Sequence, residues 1–201
     1  MESSGSQPDG RAAAPRELAV VQAFVNSENI EAGEDELLDP AALRRFLSQH
    51  GLLSARAKVT GDDLARGREL RAALRALALA NNGEPLAASA IDTLDRGARR
   101  WALIASFAPT GEPREVPTAV GVERAFGELL AIVHRAMREG TWSRLKACRE
   151  QGCRWVFYDH SRNRSGTWCA MALCGSRAKM RTYRARRATS LGGPARASQR
   201  A

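Results

Sequence analysis

Apolar positions recur at intervals of three and four along most of the first 140 residues. Leu18, Val21, Phe24 and Val25 form such a stripe after Pro15 and predict a helix ending near Asn26–Asn29. The acidic stretch from Glu31 to Glu36 reads as a connector. Asp39 and Pro40 read as N-cap and first residue of a second helix, with Leu43, Phe46 and Leu47 as its apolar stripe and Gly51 as its stop. Thr60 and Asp63 have the spacing of a capping box, with Asp in place of the usual Glu. They open the strongest helical pattern in the chain, marked by Leu70, Leu74 and Leu77 and closed by Asn81, Asn82 and Gly83. Pro85 opens a fourth helix. The period then changes: residues 101–107 and 112–117 flank a turn at Pro109-Thr110-Gly111 and predict a short β-hairpin. A last helix over about 120–139 carries Phe126, Leu129, Leu130, Val133 and Met137 on its apolar side. The pattern thus predicts a mostly α N-terminal domain with a short β-hairpin over 15–140, after a disordered leader over 1–14.

Charge changes the picture at Gly140-Thr141. Residues 1–140 hold 17 Lys+Arg and 20 Asp+Glu, a balance of −3. Residues 141–201 hold 14 Lys+Arg against only Glu150 and Asp159, a balance of +12. This asymmetry points to a polyanionic partner for the C-terminal end, nucleic acid before an anionic membrane surface; the plainer reading is an Arg-rich solvated face. No run approaches the ~20 apolar residues of a membrane span, and the N-terminus lacks the apolar core of a secretory signal. A cytoplasmic, nucleoid-associated protein is the expectation. Disulfides are rare in that compartment, so paired cysteines there favour a metal.

The cysteines are Cys148, Cys153, Cys169 and Cys174, two C-x4-C pairs separated by fifteen residues. Each pair can supply two corners of a tetrahedron, and the doubled spacing predicts one Zn2+. Four protein thiolates leave no open position on zinc, so the ion is expected to be structural. An iron–sulfur cluster fits poorly, because no C-x2-C run is present. His160, between the pairs, is expected to be exposed or to stand behind the ligands. The intervening segment predicts a strand and a turn, with Trp155, Phe157 and Trp168 packing around the metal loops. Arg162 and Arg164 on that turn either contact phosphates or leave one of them to pair with Asp159. After Cys174 the pattern is helical, which places that thiol at a helix N-terminus, where the dipole favours thiolate. Arg177, Arg181 and Arg184 fall on one stripe of this helix, with Lys179, Arg186 and Arg187 on the flanking faces. Residues 141–187 are therefore expected to form a small treble-clef or ribbon-like zinc finger ending in a basic helix, with a disordered tail over 188–201.

Catalytic chemistry is not legible. His50 and His134 are lone histidines on predicted helices, and no phosphate loop or hydrolase motif is present. Asp62 and Asp63 are accounted for by helix-start electrostatics.

The C-terminal residues carry a family likeness. Cys148-x4-Cys153, Phe157-x-Asp159-x-Ser161-Arg162-Asn163-Arg164-Ser165 and Trp168-Cys169-x-Met171-x-x-Cys174-Gly175-x-Arg177-Ala178-Lys179 resemble the CGNR zinc finger. Ser176 stands where that family has Asn. The zinc ligands are untouched, and Ser can still cap a helix start. The preceding part resembles the helical ABATE domain through Phe24-Val25-Asn26, Asp39-Pro40-x-x-Leu43 with Phe46-Leu47, Gly51-Leu52, and Leu70-Arg71-x-x-Leu74. The resemblance implies a bacterial stress-induced transcription regulator that binds double-stranded DNA. Its helical domain would sense a small-molecule effector, form a homodimer or contact a partner. The rival readings are an RNA-binding or protein-interaction module in which zinc only staples the fold, and an enzyme with an unrecognised pocket.

Overall fold

The computed structural model describes residues 7–191. Helix α1 (Leu18–Asn26) leads into two two-residue strands, β1 (Glu28–Asn29) and β2 (Glu34–Asp35), and then helix α2 (Pro40–Gln49). Helices α3 (Gly61–Ala80) and α4 (Ala88–Trp101) follow, then the antiparallel hairpin β3 (Leu103–Phe107) and β4 (Pro113–Pro117), and helix α5 (Gly121–Arg138). The C-terminal part holds a second hairpin, β5 (Leu145–Ala147) and β6 (Val156–Tyr158), and a terminal helix α6 (Ser176–Leu191). Among the described residues, no helix is long and apolar enough to cross a membrane.

The helix starts follow their local chemistry. Asp39 caps α2 by accepting from the Ala42 N–H at 2.7 Å. Thr60 and Asp63 form a reciprocal capping box at the start of α3. Phe24, Leu43, Leu47, Leu70, Leu74, Phe126 and Leu129 are fully buried and bring α1, α2, α3 and α5 onto one core. Gly67 permits the close approach of α3 to α5: a Cβ there would lie 3.1 Å from the Phe126 ring.

Several expectations change. Trp101 ends α4 instead of opening a strand, because its indole is buried against Phe126, with ring centroids 5.4 Å apart. Met137 is exposed; the buried face of α5 runs through Ala125, Phe126, Leu129, Ile132, Val133 and Ala136. The acidic connector is the turn of the β1–β2 hairpin, tied to α3 by the buried Arg71, which holds both Asp35 carboxylate oxygens at 2.6 and 2.8 Å, and by Arg75 with Glu28. The leader expected over 1–14 is docked over 7–14. Gln7 and Ala14 are buried, the Ala14 N–H donates to Gln22, and the Arg11 guanidinium sits 4.9 Å over the Phe157 ring.

Gly140 turns the chain at φ 71°. The apolar core does not stop there: Trp142, Leu145, Ala147, Val156 and Tyr158 are buried in the same cluster as Phe24 and Leu74. The β5–β6 hairpin thus rests on the helical core rather than hanging from it by a linker. The first residues of the disordered tail expected over 188–201 belong instead to α6, which runs to Leu191, and residues 192–201 and the first six residues lie outside the described part.

Candidate metal centre and basic helix

The metal loops are built on the β5–β6 hairpin. Leu145 pairs with Tyr158 and Ala147 with Val156, and the Cys148 N–H continues the ladder to the Trp155 carbonyl at 2.9 Å. At the tip, the N–H groups of Cys153 and Arg154 both donate to the Glu150 carbonyl at 3.0 Å, with Arg154 at φ 52°. This tight turn brings Cys148 and Cys153 to the same side. Cys169 comes in after the long loop, and Cys174 lies in a wide helical turn, Met171–Gly175, that runs directly into α6. The helical run therefore starts before Cys174, which sits inside its first turn and not at the α6 N-terminus.

All four sulfurs lie within 4.8 Å of one another, and the four cysteines are buried. The Cys153–Cys169 and Cys169–Cys174 separations are 3.6 Å. A tetrahedral site with Zn–S near 2.3 Å requires sulfur–sulfur edges of roughly 3.8 Å, so the cluster has the size that zinc needs. The thiols also behave as one unit. Cys148 is the favoured thiolate, pushed down to about 2 by hydrogen bonds from Cys153 and Cys169. Cys153 is pushed up to about 12, first by its hydrogen bond to Cys148. Cys169 is pushed up by its bonds to Cys148 and Cys153, and Cys174 by burial and the neighbouring thiolate. A divalent cation that displaces the retained protons relieves this crowding of sulfur charge. Phe157 is buried with the cysteines, and Trp155 and Trp168 pack against them.

A buried ion pair braces the long loop. Asp159 accepts from Lys146 Nζ at 2.9 Å, from the Ser161 hydroxyl at 2.6 Å and from the Gly166 N–H at 2.7 Å. Burial pushes this carboxyl up, but the Ser161, Lys146 and Gly166 bonds outweigh it and hold it well below the usual carboxylate range. The partner of Asp159 is thus Lys146, not Arg162 or Arg164, whose side chains are exposed.

Helix α6 projects from the metal loops with residues 179–187 all exposed. Arg177 reaches Glu31 at 2.6 Å and Arg181 reaches Glu150 at 2.6 Å. Lys179, Arg184 and Arg186 make no ion pair with any described residue. Arg187 is exposed on the same helix. Gly175 lies under the Trp168 and Met171 side chains, and a Cβ there would collide with Met171 and come within 3.2 Å of Trp168.

Two family models match the chain. Residues 18–139 match ABATE, described as "Putative stress-induced transcription regulator", over more than half of the sequence. The chain belongs to the ABATE family. Residues 144–187 match the CGNR zinc finger. No curated relative matches the chain. The four-cysteine cluster is therefore the metal site of a CGNR finger and takes one structural zinc ion. Neither family description names a reaction.

The remaining expected positions fall into place within the ABATE and CGNR parts. Ser176 does not act as an accepting cap; its hydroxyl donates to the Met171 carbonyl at 3.3 Å. His160 is exposed and faces the Ala12 and Ala13 carbonyls at 3.2 Å, so it belongs to the docking of the N-terminal strap. His134 pairs with Glu115, and His50 stacks on Phe46 at 4.4 Å. Sequence reasoning missed the asparagines that join the two parts. Asn26 brackets Val156, donating to its carbonyl at 2.7 Å and accepting its N–H at 2.8 Å. Asn81 donates to the Trp142 and Leu145 carbonyls, and Asn82 to the Ala147 and Thr167 carbonyls, each at 2.8–2.9 Å. The Asn81-Asn82 doublet was visible, but it reads equally as a helix stop.

Proposed function

We propose that this ABATE-family protein is a cytoplasmic, zinc-dependent regulator of transcription that binds double-stranded DNA through its CGNR finger and α6. The observation that carries this reading is the charge. The end of the chain with the four-cysteine site holds a balance of +12, and α6 extends from that site with an exposed cationic surface. Zinc fixes the base of the helix, and Lys and Arg side chains supply phosphate contacts, with one or two Arg available for guanine edges. Arg162, Arg164, Arg177, Lys179, Arg181, Arg184, Arg186 and Arg187 are the cations on this finger and helix that are candidates for those contacts. Regulation is assigned to the helical domain, through an effector or a second copy.

The test is fluorescence anisotropy of zinc-loaded protein on genomic duplex fragments over a salt series. Binding that weakens steeply with salt supports the reading. Absence of salt-sensitive binding to any duplex, or preference for RNA over duplex DNA, overturns it.

A further inference from the structure

Four cations of α6 fall into two sets, while Arg184 continues the 177/181 stripe without an ion pair to any described residue. Arg177 and Arg181 are committed to the body of the protein: one is paired with Glu31 on the β1–β2 turn, the other with Glu150 inside the first metal loop. Glu150 is itself largely buried, so Arg181 closes over a carboxylate that would otherwise stand desolvated. These residues are four apart and share one side of the helix.

The opposite side has another character. At 3.6 residues per turn, Lys179 and Arg186 fall within ~20° of each other and roughly 180° around from Arg177. Neither makes an ion pair with a described residue. Together with Tyr183, Thr182, Trp168 and Met171 they line an open groove of about 370 Å³. Tyr183 is exposed and Trp168 half-buried. The Trp168–Met171 edge also borders a neighbouring cavity of about 600 Å³ that adds Arg11, Ser165 and Thr167. Cations, hydroxyls and aromatic faces thus run continuously from the docked N-terminal strap to the outer turns of α6. Gly175 keeps this surface open and shaped, since any side chain there would displace Trp168 and Met171.

A helix about 10 Å across fits the major groove, and of the two exposed sides of α6 the Lys179–Arg186 side is the one with no cation already paired to Glu31 or Glu150. Resting on DNA, the reading proposed above, we infer that the duplex is held by the Lys179–Tyr183–Arg186 face and the Trp168 edge. Arg177 and Arg181 are positioning residues that dock α6 on Glu31 and Glu150. The working face is therefore the flank opposite the 177/181 stripe. Hydroxyls and cations on this face take phosphates, and Tyr183 packs on sugar or base edges.

The experiment compares full-length, zinc-loaded variants by anisotropy over a salt series, with zinc content and thermal midpoint measured in parallel. Lys179→Gln with Arg186→Gln is expected to weaken duplex binding about tenfold or more and to flatten the log–log salt slope by about 2, at unchanged zinc content. Arg177→Gln is expected to keep the wild-type salt slope and to change affinity by no more than about threefold, a size set by loss of a positioning contact and not of a phosphate contact. Glu31→Gln, which releases Arg177 without removing it, is expected to leave affinity and slope near wild type. A double variant at 179 and 186 that binds like wild type, with Arg177→Gln losing a phosphate contact from the slope, overturns this assignment and leaves the DNA reading standing. A marked affinity gain in Glu31→Gln that Arg177→Gln abolishes also overturns it. Absence of salt-sensitive wild-type binding overturns both readings.

Discussion

Lys146 and Asp159 are almost completely buried and hold each other at 2.9 Å inside the finger. Removing only the cation strands a carboxylate, which costs on the order of 3–5 kcal/mol for a buried pair. Lys146→Met is therefore expected to lower the thermal midpoint strongly, as scanning calorimetry would record; a midpoint within a degree or two of wild type would contradict the assigned brace. The same carboxyl carries a pH dependence. Its folded pKa lies below its unfolded value, so its contribution is fully present above the unfolded carboxylate pKa of about 3.9 and is lost as pH falls further. Acid titration followed by tryptophan fluorescence should show the finger loosening below about pH 4, and Asp159→Asn should remove that part of the dependence. Gly175 makes a second demand at this scale. Gly175→Ala places a methyl group against Met171 and Trp168 and is expected to disturb tryptophan emission while the four thiols remain available to metal.

At the scale of elements, the asparagines at helix ends join the finger to the ABATE domain. Asn82 is buried and donates to two finger carbonyls at 2.8 Å. With each hydrogen bond contributing about 1 kcal/mol and the carbonyls left without a donor, Asn82→Ala should destabilise the protein by about 2 kcal/mol. Urea unfolding would measure this, and no shift in midpoint would argue against the clamp. These clamps show where sequence patterning stops. The α2 cap at Asp39, the α3 capping box and the β3–β4 hairpin were legible because each rests on residues within a few positions of one another. The paired C-x4-C spacing was legible because metal geometry restricts ligand placement. Asn26 bonding to Val156, 130 residues away, has no local signature. Nor does the ion pair of Arg177 with Glu31. Trp101 lies in α4 and not in a strand for a related reason: its burial against Phe126 decides its element, and a tertiary contact overrides local β-propensity.

For the whole molecule, one core spans both family segments, and the four cysteines form a separate buried cluster beside it at the base of the basic helix. Metal removal should therefore act beyond the finger. Chelation is expected to unfold the cysteine loops and free α6, and loss of the Asn and Val156 contacts should lower the stability of the ABATE domain with it. Cys169→Ser should bring zinc well below one equivalent in reduced protein, measured by plasma emission, with a concurrent drop in thermal midpoint. A variant that retains one zinc and full stability would contradict the assigned ligand set.

The central claim is that a zinc-organised, positively charged end holds duplex DNA. Anisotropy of the zinc-loaded full chain on genomic duplexes, from low to moderate salt and repeated after chelation, tests it most directly. Affinity is expected to fall steeply with salt and to collapse when zinc is removed. Binding that is absent, or that is equally strong with and without zinc, would contradict it.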